Sequence, residues 1–188
     1  MGRDEDAIAY RRRENEYMNL LMCERPNGDF AHTMVRQLYF SIFMKLYWQS
    51  ATSSTDTTIA GIAAKAVKES DYHVRHTGQW VIRLGDGTVE STQRTINAVE
   101  LLNPYVKEIF ETDDSGLSVY DAGLLPNPNS IEHLWKAELA DIFKQATLAV
   151  PDSSFGHSGG RHGRHTEDMG YLLSELQYLQ HSYPNLNW

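Results

Sequence analysis

The sequence is poor in cysteine: its 188 residues include one, Cys23. A single thiol excludes an internal disulfide framework and every paired-cysteine metal or redox motif, and it fits a reducing, cytoplasmic setting. Cys23 is then expected in the core or half-buried, as a small apolar residue. Long apolar runs are also lacking. The most apolar stretch, Leu38 to Trp48, is broken by Ser41 and Lys45 and is too short to span a bilayer. The opening residues carry charge throughout, unlike a secretory leader. Basic residues are in deficit, 17 Lys and Arg against 25 Asp and Glu, which leaves a net charge of −8. An acidic surface argues against broad binding to nucleic acid or to an anionic membrane, both of which take a basic face. It leaves room for a small basic pocket that takes a phosphorylated ligand.

Strand signals are missing as well, since alternation of apolar and polar residues never persists and β-branched runs are short. No repeat recurs at a fixed period. What is there is helical periodicity between clear punctuation. Asp29 can cap a helix over Phe30–Gln49, in which Val35, Leu38, Ile42 and Leu46 repeat at helical spacing. Tyr39, Phe43 and Tyr47 add a second stripe, and a helix apolar nearly all round is central. Ser54 or Asp56 can open a second helix over Thr57–Leu84, ended by Gly85-Asp86-Gly87. A third, Ser91–Glu111, should kink or divide at Pro104. The Gly-, Asp- and Pro-containing stretch Asp113–Asn129 reads as a loop. Asn129 or Ser130 caps a fourth helix that reaches Ala149, before Pro151, and a last helix runs from Thr166 to His181. At this length the chain fits one domain with a sizeable core: an arm over residues 1–27 and a helical bundle over residues 28–188.

A helical chain rich in carboxylates and with eight histidines raises the question of a di-iron cage. Such a cage takes a Glu from each of two helices and a Glu-x-x-His pair from each of two others. This sequence has no Glu-x-x-His. The nearest remnant is Glu69-Ser70-Asp71-Tyr72-His73, with tyrosine three residues after Glu69 and histidine four. A satisfied polar cluster is the plainer account of it. Asp29-x-x-His32 also has ligand spacing but reads as a helix cap beside an exposed histidine. The run Gly156-His157-Ser158-Gly159-Gly160-Arg161-His162-Gly163-Arg164-His165 stands directly ahead of the last helix. Backbone amides at a helix start, with mobile basic side chains beside them, suit an anion such as phosphate. Composition alone reads the same run as a solvated loop. Nucleophile-elbow, dinucleotide-fold and Walker signatures are lacking.

Several blocks together resemble one family. They are Glu24-Arg25-Pro26-Asn27-Gly28-Asp29-Phe30-Ala31, Lys65-Ala66-Val67-Lys68-Glu69-Ser70-Asp71-Tyr72-His73-Val74-Arg75, Trp80-Val81-Ile82-Arg83-Leu84-Gly85-Asp86-Gly87-Thr88, Ala146-Thr147-Leu148-Ala149-Val150-Pro151 and the run from His165 to Gln180. In this order they resemble the C-subunit family of the bacterial phenylacetyl-CoA epoxidases, along nearly the whole chain. The resemblance implies an all-α, ferritin-like bundle in a multicomponent monooxygenase that epoxidises the ring of phenylacetyl-CoA. It further implies that the chain is a non-catalytic, structural subunit with no cofactor of its own. The di-iron centre belongs to a paralogous A subunit that this one stabilises, and reducing equivalents come from an NADPH-dependent reductase. Tyr72, where a metal-binding relative has His, agrees with a lost ligand set.

The family pattern starts upstream of Met1, with enough residues for about two helices. The bundle is therefore expected to lack its N-terminal hairpin and to leave apolar faces of Phe30–Gln49 and Thr57–Leu84 for the A subunit or for self-association. Lys68, Arg161 and Arg164 are candidate contacts to the phosphates of CoA. Two competing readings are a di-iron subunit using Glu69, His73, Glu138 and Glu175, and a helical interaction module unrelated to phenylacetate.

Overall fold

Asp29 sets where the first long helix begins. Its side chain accepts from the amide of His32 at 2.9 Å, and helix α2 then runs over Phe30–Ala51. In this computed structural model, which describes residues 4–112, 114–152, 155–184 and 186, every regular element among the described residues is helical. Asp113 and Trp188 lie outside the described residues. Helix α1 is Glu5–Ala9, α3 Thr57–Gly85, α4 Val89–Leu102, α5 Asp114–Asp121, α6 Glu132–Gln145, α7 Asp168–Leu176 and α8 Tyr178–Ser182. The all-α class expected from the periodicity is what the chain adopts. Among the described residues no helix is long and apolar enough to cross a membrane.

Backbone contacts divide the chain into two units, Asn27–Gly156 and the pair of segments Met1–Pro26 and His157–Trp188. In the larger unit α2 is the hub, packed against α3, α4 and α6. Val35, Leu38, Tyr39 and Ile42 are wholly buried there, as the double apolar stripe requires. Asp56 caps α3 by accepting from the amides of Thr58 and Ile59. At its other end, Gly85 presses against the end of α6: a Cβ there would stand 2.4 Å from the carbonyl oxygen of Ala146. Helix α4 starts before Ser91, because Thr88 caps it and Ser91 closes a reciprocal box back to the Thr88 amide. Pro104 does divide the expected third helix, which continues only as short 3-10 turns at Asn103–Tyr105 and Lys107–Phe110. An aromatic cluster sits in the core of this unit, with Trp135 edge-on to both Tyr39 and Phe110 at 5.5 Å.

Several expectations need correction. The fourth helix spans only Glu132–Gln145, and Asn127, not Asn129 or Ser130, caps the 3-10 turn Pro128–Ile131 that precedes it. The stretch read as a loop after Glu111 contains α5, and the 54–55 turn holds its end: Ser54 and Thr55 hydroxyls donate to the carbonyls of Leu124 and Ala122. The last helix is two, broken at Gln177, whose side-chain amide donates to Arg12 O at 2.8 Å and to the Tyr17 hydroxyl at 3.1 Å. Cys23 is exposed, at the end of a 3-10 turn over Leu21–Cys23 that turns Leu21 and Met22 inward instead.

Candidate functional site

Glu69, Tyr72 and His73 lie on the middle turns of α3, in the larger unit. Four-residue spacing puts Glu69 Oε1 3.8 Å from His73 Nε2, with side chains 80% and 43% exposed. Tyr72 stands out into solvent and stacks on His76 at 6.0 Å. A groove of about 260 Å³ between α2 and α3 passes this point, with Phe40, Met44 and Trp48 on one wall and Glu69, Ser70 and His73 on the other. Two donors from one helix, open to water, do not fit a di-iron cage, which closes carboxylates and histidines from four helices around the metals. Among the described residues no cluster of three or more His, Cys, Asp or Glu is placed to hold an ion. Glu138 is engaged in an ion pair with Lys45, and Glu175 is exposed on α7. Asp29 acts as the cap of α2, and His32 beside it is half-buried, not exposed as the sequence suggests.

From His157 onward the Gly/His/Arg run belongs to the smaller unit, and it is more ordered by contact than a solvated loop. Gly159 and Gly160 are buried, and the amide of Asn19 donates to Gly160 O at 3.2 Å. A Cβ at Gly160 would lie 2.2 Å from Asn19 O, so only glycine allows this approach. Gly159 and Gly163 take positive φ of 127° and 71° around a 3-10 turn, Gly160–His162.

Immediately after that turn comes a dense polar cluster. Glu24 Oε2 accepts from the Thr166 amide at 2.8 Å and from its hydroxyl at 2.9 Å. Glu24 Oε1 accepts from Asn19 at 2.8 Å and faces His165 Nδ1 at 2.6 Å. The other ring nitrogen meets Tyr17 O at 3.1 Å. Burial pushes the Glu24 carboxyl up, but the hydrogen bonds from His165, Thr166 and Asn19 outweigh it and hold the group below its ordinary value. Nearby, Arg25 pairs with Asp168 in the first turn of α7.

The anion at the head of this segment is therefore the protein's own Glu24, which takes the Thr166 amide expected to face phosphate. Of the three candidate CoA contacts, Arg161 is half-buried within the 3-10 turn and Arg164 is exposed beside it. Lys68 is exposed on α3, in the larger unit. Glu24, His165 and Tyr17 escaped the sequence reading because their relation spans 141 or more positions. The Gly-rich spacing before His165 was a local sign only of a close backbone approach.

The fold and these sites define a helical protein whose longest helix carries a Glu69–His73 pair open to solvent. The chain belongs to the phenylacetic acid catabolic protein family, whose pattern it matches over residues 1–188. It is similar to the C subunit of 1,2-phenylacetyl-CoA epoxidase from Escherichia coli (strain K12), at 37% identity over 185 residues. That alignment covers 98% of this chain and 75% of the relative.

Proposed function

We propose that the chain is a non-catalytic structural subunit of a phenylacetyl-CoA ring epoxidase that works in the cytoplasm. The observation that carries the reading is similarity to the C subunit of such an epoxidase over 98% of the chain. The non-catalytic part is supported by the residues of α3, where Tyr72 replaces the histidine of a Glu-x-x-His pair and Glu69 and His73 stand open to solvent. In this role the chain stabilises a paralogous A subunit that carries the di-iron centre, and electrons reach that centre from a separate NADPH-dependent reductase. No chemical step passes through this chain's own residues. Its contribution to substrate is electrostatic: Lys68, Arg161 and Arg164 offer cations to the phosphates of CoA.

The test is co-purification of the chain with an A subunit of such an epoxidase, read by size-exclusion chromatography and metal analysis. A mixed complex in which iron tracks the A subunit is expected. Near-stoichiometric iron in this chain purified alone would overturn the structural role.

A further inference from the structure

Helices α7 and α8 carry two stripes of side chains. The inner one is Met169, Leu173 and Gln177, buried at four-residue spacing. The outer one is Leu172, Leu176, Leu179 and Tyr183, and these four are 40%, 42%, 47% and 52% exposed. Their spacing of four, three and four residues is that of the a and d seam positions of a heptad repeat. The break at Gln177 does not lose this register. Its backbone stays right-handed helical, and amides around it keep the four-residue bond: Gln177 to Leu173 O at 2.9 Å, His181 to Gln177 O at 3.0 Å and Tyr183 to Leu179 O at 2.9 Å. Tyr171 and Tyr178, also exposed, stand along one side of the outer stripe. A contiguous exposed apolar face marks an interaction surface, and one at heptad spacing is met by another helix.

Charge decides what kind of helix. Glu175 stands at the edge of the seam, on the side of Tyr171 and Tyr178, exposed and in no ion pair among the described residues. Asp168, two turns earlier on the same edge, is already taken by Arg25. From His165 to Trp188 the sequence has Glu167, Asp168 and Glu175 and no Lys or Arg. A second copy of the chain would therefore bring carboxylates to this edge and no lysine or arginine to meet Glu175. An anionic lipid surface would repel it, since helices that lie on membranes carry Lys and Arg beside the apolar face. A helix with Lys or Arg flanking its own seam meets Glu175 with the opposite charge.

We propose that Leu172, Leu176, Leu179 and Tyr183 form the docking seam for an amphipathic helix of a different protein chain, with apolar residues at its a and d positions and Lys or Arg beside them. The seam is distinct from the Glu69–His73 pair and from the Gly/His/Arg run, and it stands whether or not the chain serves an epoxidase.

The experiment is a fluorescence-anisotropy titration of the full chain into a labelled peptide of about three heptads, with Leu at a and d and Lys at e and g. Two further peptides serve as references: one with Glu at e and g, and one of the first peptide's composition with its Leu residues off the repeat. The first peptide should bind saturably, and each reference at least about tenfold more weakly. Leu176→Asp and Leu179→Asp, both at exposed positions, should each weaken the first peptide at least about tenfold. Glu175→Lys should remove or reverse the preference for the Lys peptide over the Glu peptide. Equal binding of those two peptides would overturn the proposal, as would an unchanged preference in Glu175→Lys or unchanged binding in the Leu variants. A dimer of the chain alone that Leu176→Asp turns to monomer in sedimentation would assign the seam to a second copy and overturn it. So would binding to phosphatidylserine vesicles that Leu176→Asp abolishes. If the Asp variants do not fold, Glu175→Lys and the two reference peptides decide.

Discussion

His165 Nδ1 lies 2.6 Å from Glu24 Oε1, with both side chains 1% exposed. Each ring nitrogen faces an acceptor, Glu24 on one side and the Tyr17 carbonyl on the other. This pair joins the first residues of the chain to the segment before α7, and it turns a Gly-rich run into a fixed one.

Glu24→Gln should therefore destabilise the protein by about 1–3 kcal/mol, since it leaves buried donors without their charged acceptor. The pH dependence follows from the lowered Glu24 carboxyl. A carboxyl held below its unfolded value stabilises the fold above that value, and the gain is lost as pH falls through the folded one. Urea unfolding of the native chain and of Glu24→Gln should differ most near neutral pH. The gap should close as pH is taken below the ordinary carboxylate value of 4.5. A gap that stays constant down to about pH 3 would remove Glu24 from this role.

Two glycines should respond to alanine in opposite directions. At Gly160 the new Cβ meets Asn19 O at 2.2 Å, backbone that cannot swing aside, so Gly160→Ala should cost about 1–3 kcal/mol. At Gly61, exposed within α3, a new Cβ meets nothing within 4 Å, and Gly61→Ala should add about 0.5–1 kcal/mol. Thermal melts of the two variants measure this directly.

Tyr39 is wholly buried, and its hydroxyl has no hydrogen-bond partner among the described residues. Burial pushes its phenol well above the ordinary range. Removing an unsatisfied buried hydroxyl relieves a desolvation cost, so Tyr39→Phe should be neutral or stabilising by about 1 kcal/mol. Trp135→Phe should instead destabilise, because it loses the bond to Tyr39 O and ring area in the core. Denaturant midpoints for both variants would show whether the order holds.

If Arg161 and Arg164 meet CoA phosphates, replacing both with alanine should raise the KM of the assembled epoxidase for phenylacetyl-CoA about tenfold and leave kcat nearly unchanged. An unchanged KM would remove this contact from the account. Lys68→Ala, read separately, tests the cation of the larger unit.

The long helices of the larger unit were legible because their signals are local. Asp29 and Asp56 cap within three residues, and Pro104 breaks the pattern by its own missing N–H. Helix α5 was not legible, since Ser54 and Thr55 hold its end from about seventy positions away. Thr88 was missed as the cap of α4 because the box it makes with Ser91 begins before the apolar pattern does. At the candidate site, the absence of a Glu-x-x-His pair is read from spacing alone. The occupation of the Thr166 amide by Glu24 is a tertiary fact that no local pattern carries.

The measurement closest to the central claim is reconstitution. The A subunit is produced with and without this chain, and each preparation is assayed for iron, solubility and NADPH-driven epoxidation of phenylacetyl-CoA with the reductase present. A soluble, active A subunit should be recovered only with this chain, and iron should stay with the A subunit. Full activity of the A subunit without this chain would contradict it.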